Sequence, residues 1–465
     1  MVPTLTTIRD ALTGYLSQQK MTINQFAGQS GINSGTLSRL IHGQQPIAMN
    51  HLERITRAMG LPEDHFYSLY VEECFDHSPP TWRRLRPFLV RSAELGRLDC
   101  IEQVVQQLLE KLTYAPMLFE VAEGLFQEGL WQAAELLYKN VSDSEKYQNS
   151  ERLALCQYRL FRIALGDDQT RNLQAAHIFE CYLDKLDEAD QLDGFKHLVN
   201  VYYSLHKWEK ADKLAQDMLH LATLRYNLQR QSNRRMGEEK KPEKPLCFYI
   251  YYSHLMRASI CEEHNDFTSA LKFVSLYTDT SWIQKDDKEA KRTIAQFQEW
   301  GKANTLLYQV MSGKQDVLSE YIEHISTQRD ELFVALSNIL ASANRYGWNV
   351  DHVLERFADY IPYQTYATEF GEYNQLIISD QHTRFLVELA AYYIRNKRNE
   401  EFSFVLQSLE SASKINNESI ALACINMFEQ YRYEAGQEEL ERYKLLIRTV
   451  KNSNTKNFYS ASSSL

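Results

Sequence analysis

Residues 21–43 read MTINQFAGQSGINSGTLSRLIHG. Thr22 and Gln25 fit a capping box, in which the hydroxyl and the amide side chain each satisfy a free backbone N–H at a helix start. A helix therefore begins after Thr22, with Phe26 and Ala27 turned inward. Ala27 is small where two helices cross closely. Gly31 permits the left-handed backbone that a tight interhelical turn requires. Ile32 plugs the turn into a core, and Asn33 is a suitable N-cap for a second helix. Leu37, Leu40 and Ile41 form the buried face of that helix, which leaves Ser34, Gly35, Thr36, Ser38 and Arg39 exposed. Gly43 ends it, and Pro46 prevents it from resuming.

The flanks fit the same compact unit. Ile8, Leu12, Tyr15 and Leu16 share one face of a helix expected over Leu5–Gln19. Leu52, Ile55 and Met59 mark a fourth helix, and a fifth is expected near Asp64. Over residues 5–70 this pattern resembles the helix-turn-helix of phage-repressor and XRE-type regulators, with Ala27, Gly31, Ile32, Leu37, Ile41 and Gly43 at that family's spacing. The resemblance implies that the second helix of the motif enters the major groove of a double-stranded DNA operator. Ser34, Gly35, Ser38 and Arg39 would then face bases, with Arg39 able to grip a guanine. Thr22, Asn33 and Thr36 would lie near phosphates. Ile23 departs from the pattern, since many repressors place there a Gln that clamps backbone and base. The plainer alternative is a helical bundle of similar pattern without DNA binding. Five arginines follow in TWRRLRPFLVRSAELGR (81–97), either as further phosphate contacts or as partners of acidic neighbours.

The 465-residue chain has only 17 Gly and 10 Pro, against about 33 and 23 at average usage. So few turn formers imply an all-α fold. Its 28 Tyr suit a core or a groove equally. Net charge is −10, yet residues 1–70 hold five basic against four acidic side chains, so the acidity lies in the remainder. Nucleic acid is therefore expected at the N-terminal end alone. Seven widely spaced Cys, with no CxxC pair, argue against a disulfide framework and a zinc site. Neither a signal peptide nor an apolar run of spanning length is visible, so the chain reads as cytoplasmic, with no membrane partner.

Beyond residue 110 the chain repeats itself. Trp131/Ala134, Leu173/Ala176, Trp208/Ala211 and Phe267/Ala270 each place a small residue three positions after a large apolar one. Each sits in a pair of amphipathic helices, and further pairs are expected at 289–326, 330–361, 383–414 and 418–450. This looks like a degenerate tetratricopeptide-type array, which stacks into a right-handed α-solenoid with a concave face lined by the first helix of each pair. On that register Lys196, Asn200 and Tyr203, then Tyr252, Ser259 and Glu262, point into the groove. An Asn amide both donates to and accepts from a peptide backbone; the equal alternative is that Asn200 bonds a neighbouring helix. The expected organisation is a DNA-binding domain (1–70), a helical linker (71–110), a repeat domain (111–450) and a disordered tail (451–465). QRQSNRRMGEEKKPEKP (229–245) reads as a mobile loop between units. No GxSxG, GxxxxGK[ST], HExxH or GxGxxG occurs, so no catalytic residues, metal ligands or cofactors are assigned.

As an architecture, a DNA-reading domain followed by a repeat groove resembles the RRNPP group of peptide-pheromone receptors of Gram-positive bacteria and their phages, the arbitrium receptors in particular. The resemblance implies a homodimeric quorum-sensing transcription regulator whose repeats bind a short signalling peptide that modulates DNA binding. Leu440, Tyr443, Leu446 and Ile447 are candidates for the dimer contact, since a solenoid end leaves an apolar face uncovered. The alternative is an adaptor whose groove takes a protein partner, with DNA binding secondary.

Overall fold

The computed structural model describes residues 7–76, 80–109, 112–147, 150–166, 169–231, 240–283, 288–326, 332–360, 372–396, 401–414 and 418–448. Among these residues every regular element is helical, as the shortage of turn formers predicts. Two compact units make up the chain: residues 1–165 with 170–187, and residues 166–169 with 188–465.

The first unit opens with α1 (Ile8–Gln18), α2 (Ile23–Ser30), α3 (Ser34–Ile41) and α4 (Met49–Ala58). Thr7 and Asp10 form a capping box that fixes the start of α1. The expected start at Leu5 falls in residues 1–6, outside the described residues. Thr22 and Gln25 form the second box, as the sequence predicts. Gly31 adopts φ 69° and ψ 18°, the left-handed conformation that the turn into α3 requires. Phe26, Ile32, Leu37, Leu40, Leu52 and Ile55 are buried together, whereas Tyr15, Ile41 and Met59 are half-buried at the edge.

The same core continues without a break into α5 (Tyr67–Asp76), α6 (Trp82–Glu94) and α7 (Leu98–Leu108). Phe88 of α6 lies edge-on to both Tyr67 and Tyr70 of α5, at 5.1 Å each. The Tyr70 hydroxyl donates to the carbonyl of Ile47 at 2.9 Å, tying α5 to the loop after α3. Two pairs complete the unit: α8 (Ala115–Gln127) with α9 (Trp131–Glu145), and α10 (Glu151–Ala164) with α11 (Gln169–Glu180). Ala134 and Ala176 are fully buried where the repeat pattern puts a small residue. Glu123 of α8 accepts from the Tyr138 hydroxyl of α9 and pairs with Arg159 of α10 at 2.9 Å, so one carboxylate joins three helices.

The second unit continues in pairs: α12 (Glu188–Ser204) with α13 (Trp208–Gln231), α14 (Leu246–Glu263) with α15 (Phe267–Thr278), and α16 (Lys288–Met311) with α17 (Leu318–Ile325). Then follow α18 (Leu332–Tyr346), the short α19 (Asp351–Arg356), α20 (Glu372–Arg395), α21 (Glu401–Lys414), α22 (Glu418–Tyr431) and α23 (437–448). Ala211, Ala215 and Ala270 are fully buried at the helix crossings. Each first helix of a pair also touches the first helix of the next, from α12 through α14, α16, α18 and α20 to α22. That contact row gives the unit a continuous layer of first helices.

Two sequence expectations change. The part of the 229–245 segment that is described is helical up to Gln231, and from Lys240 onward it is tied to α12. Lys240 pairs with Asp190, and the Glu243 N–H donates to Asp193 at 3.0 Å. The stripe Leu440, Tyr443, Leu446 and Ile447 faces inward, with Tyr443 stacked on Phe428 of α22 at 4.0 Å. Tyr443 and Leu446 are buried in the last helix pair and are not available for a dimer contact, while Leu440 and Ile447 are half-buried against it. Leu445, 64% exposed, lies on the opposite face. The tail 451–465 lies outside the described residues.

Candidate functional site

The outer face of α3 presents the residues expected to meet DNA. Arg39 and Gly35 are exposed, and Ser34, Thr36 and Ser38 are half-exposed. Asn33 caps α3, its side-chain oxygen accepting from the N–H groups of Gly35 at 2.9 Å and Thr36 at 3.4 Å. Thr22 is exposed at the start of α2, where its oxygen is engaged by the capping box. The Arg39 guanidinium reaches Thr36 Oγ1 at 3.4 Å and makes no ion pair among the described residues. Its fork is therefore available for a base edge.

Behind α3, Arg9 of α1 holds the helix in place. Its Nε donates to the Leu40 carbonyl at 2.9 Å, while its two outer nitrogens pair with the buried carboxylate of Glu73 on α5. Sequence counting treats Arg9 as part of the domain's positive charge, but this pair removes it from any surface. The arginine run 81–97 divides in the same way. Arg91 pairs with Glu63 and Glu94, which lowers the Glu63 carboxyl below its ordinary range. Arg97 pairs with Asp64 and Asp99, and its hydrogen bond holds Asp99 down to about 2. Arg84 is buried and donates to the Glu73 carbonyl at 3.2 Å. Arg83 and Arg86 alone in the run are exposed without an ion pair among the described residues.

In the second unit the six expected groove residues fall into separate contacts. Asn200 is exposed on α12, and its side-chain oxygen accepts from the Tyr252 hydroxyl of α14. The Tyr203 hydroxyl donates to Glu263 at 3.3 Å, and its ring meets Trp208 at 5.0 Å. Lys196 is engaged by Glu243 at 2.9 Å, with Asp193 at 3.9 Å. Ser259 is turned back onto its own helix, donating to the Leu255 carbonyl at 3.2 Å. Among the described residues Glu262 makes no hydrogen bond or ion pair of normal geometry. Burial, with Glu263 beside it, pushes its carboxyl up to about 7, against a smaller opposing effect from the Tyr308 hydroxyl.

Of the phenols around Glu262, Tyr203 follows from the repeat register and the other two were not legible in the sequence. Tyr203, Tyr277 of α15 and Tyr308 of α16 all lie close enough for the Glu262 charge to act on them. Tyr277 accepts from the Asn304 amide at 3.0 Å. The Tyr308 hydroxyl is fully buried and faces Glu262 outside normal hydrogen-bond geometry. With Glu262 these side chains come from four helices, and a high count of Tyr was the only sequence signal for Tyr277 and Tyr308.

Four short helices around one core, with α3 presented outward after a tight glycine turn, define a helix-turn-helix DNA-binding domain. Residues 11–64 match the family of the Cro/C1-type helix-turn-helix DNA-binding domain. No curated protein matches the chain. The chain therefore couples a DNA-binding domain of the kind used by transcription regulators to a long series of helical repeats. No helix among the described residues is long and apolar enough to cross a membrane.

Proposed function

We propose that this protein is a cytoplasmic, homodimeric transcription regulator. In this reading α3 reads an operator and the first-helix layer of the second unit binds a short signalling peptide that modulates DNA binding. The observation that supports the peptide reading best is Asn200. Its side-chain oxygen is occupied by Tyr252, the residue is exposed on the layer of first helices, and its amide N–H₂ makes no hydrogen bond among the described residues. A donor fixed in this way suits a backbone carbonyl of an extended peptide. Lys196, Tyr203, Tyr252, Ser259 and Glu262 complete the proposed site. Thr22, Asn33, Ser34, Gly35, Thr36, Ser38 and Arg39 form the proposed DNA contacts.

The experiment has two arms. Genome-wide pull-down should recover a discrete operator, and affinity selection from a mixed-sequence heptapeptide pool should recover peptides. Asn200→Ala should weaken the selected peptides about tenfold, the value of one good hydrogen bond. Capture of a folded protein partner with no peptide retained would instead favour the adaptor reading.

A further inference from the structure

Glu262 stands in the last turn of α14, an 18-residue helix. Tyr203 holds the corresponding place on α12, and Tyr308 on α16. Three first helices of the layer thus bring their C-terminal ends to one niche. Helix C-termini carry partial negative charge from carbonyls without helical partners, which favours a cation and disfavours a carboxylate. Glu262 nevertheless places a carboxylate there, with Glu263 beside it. The chain's nearby cations do not neutralise it: Arg384 acts on Tyr203, and Arg345 donates to Asn265 at 2.7 Å. The fully buried Tyr308 hydroxyl, which makes no hydrogen bond of normal geometry among the described residues, lies close enough to Glu262 to act on its carboxyl. A half-buried carboxylate with no counter-ion among the described residues, beside a buried phenol and three helix C-termini, suits positive charge.

We infer that the niche of Glu262, Tyr203, Tyr277 and Tyr308 receives a positively charged group of the bound peptide, an ammonium or a guanidinium. The inference rests on the peptide reading above and adds the chemistry of the ligand. The cation pairs with the Glu262 carboxylate. Because the unliganded carboxyl binds its proton up to about pH 7, the cation competes with that proton. Binding is therefore strongest above pH 7 and weakens as pH falls through it, by up to about tenfold per unit. Among the described residues the groups facing Glu262 are Tyr203, Tyr277 and Tyr308, and Glu263 on its own helix. The phenols do not change charge between pH 6 and pH 8, because burial raises each of them further.

The full-length protein is used to select from two heptapeptide pools, one with free N-termini and one acetylated. Wild type should enrich peptides carrying a positive charge. Enrichment of Lys or Arg in the acetylated pool identifies a side chain as the source. Enrichment of free over acetylated termini, whatever the sequence, identifies the N-terminal ammonium. Glu262→Gln keeps the shape of the side chain and should lose the preference, with affinity for the selected peptide down about ten- to hundredfold. Wild type and Glu262→Gln selecting the same charge composition overturns the inference while leaving the peptide reading intact. No peptide retained by wild type overturns both. A third readout needs no variant: affinity of wild type for its selected peptide at pH 8 and pH 6. Equal affinity at the two values sinks the inference even if Glu262→Gln fails to fold.

Discussion

At the scale of single residues, Arg9 is a side chain whose chemistry and sequence position point different ways. It sits in the DNA-binding domain as a cation, yet it bonds Leu40 and the buried Glu73. Removing one partner of a buried pair leaves the other charge without compensation, at about 3–5 kcal/mol. Arg9→Met should therefore lower stability by that amount in urea denaturation. The folded variant should keep the wild-type slope of log affinity for DNA against log salt, because Arg9 neutralises no phosphate. A shallower slope would put Arg9 in the interface. Arg39→Ala should do the reverse, leaving stability unchanged. It should cost about 1–3 kcal/mol at the operator and relax the preference at one base pair. Equal loss on every sequence would reduce Arg39 to a phosphate contact. Glu262 gives a stability effect without any ligand. Its folded pKa lies above the ordinary value of 4.5, so the folded state holds the proton more tightly than the unfolded chain does. The ionised carboxyl opposes folding above about pH 7, and that cost disappears as pH falls towards 4.5. Glu262→Gln should thus raise the melting temperature by a few degrees at pH 8, with the gain vanishing near pH 4.5. A gain of the same size at both values would assign it to packing.

Helices in this chain are set by small residues and by tyrosines. Gly31 and Gly301 show two distinct reasons for glycine. A Cβ at Gly31 meets nothing within 4 Å, so Gly31→Ala costs only the left-handed backbone, about 1 kcal/mol. A Cβ at Gly301 falls 2.1 Å from Cγ2 of Thr278, because α15 and α16 approach closely there. Gly301→Ala should cost about 1–3 kcal/mol through overpacking. Pairing it with Thr278→Ser removes the clashing methyl and should recover much of that loss. An unchanged cost in the double variant would locate the strain elsewhere. Tyrosine joins elements by a buried ring and a bonded hydroxyl. Tyr251 donates to the Asp279 carbonyl at 2.8 Å, and Tyr392 to Asp351 at 2.9 Å. Much of the high Tyr content is thus explained by packing between helices.

A single helix-turn-helix reads about half a site, so a dimer should prefer two half-sites one helical turn apart, about 34 Å, or a multiple of it. Light scattering at micromolar concentration should give a dimer; a monomer with and without operator would remove that assembly from the reading. Because the inward-facing stripe of α23 is consumed within its own pair, the variant to test is Leu445→Glu, on the exposed face. If peptide changes operator affinity, operator must change peptide affinity by the same factor. Titration calorimetry of the selected peptide with and without operator measures both sides of that cycle. Independent affinities would leave a receptor without a switch.

The all-α class, the glycine turn at Gly31, the caps at Thr22 and Asn33, and the helix pairs around Ala134, Ala176, Ala211 and Ala270 were legible in the residues alone. Each rests on contacts within one or two turns of chain, or on a period that local geometry fixes. The candidate DNA face was legible for the same reason, since its residues are what remains when the buried stripe of α3 is removed. The distant partners Glu73 of Arg9, Glu63 of Arg91 and Asp64 of Arg97 were not, because they lie 28 to 64 positions away and depend on how helices meet, whereas Glu94 and Asp99 are local. Nor was the inward turn of Tyr443 and Leu446, since an amphipathic stripe does not say whether its cover comes from the same chain. Glu262 was marked by helical register, but Tyr277 and Tyr308 were brought to it by α15 and α16. Its lack of a counter-ion is a property of that packing: only when the helices are assembled does a carboxylate become half-buried, and only then does the missing positive charge acquire a place.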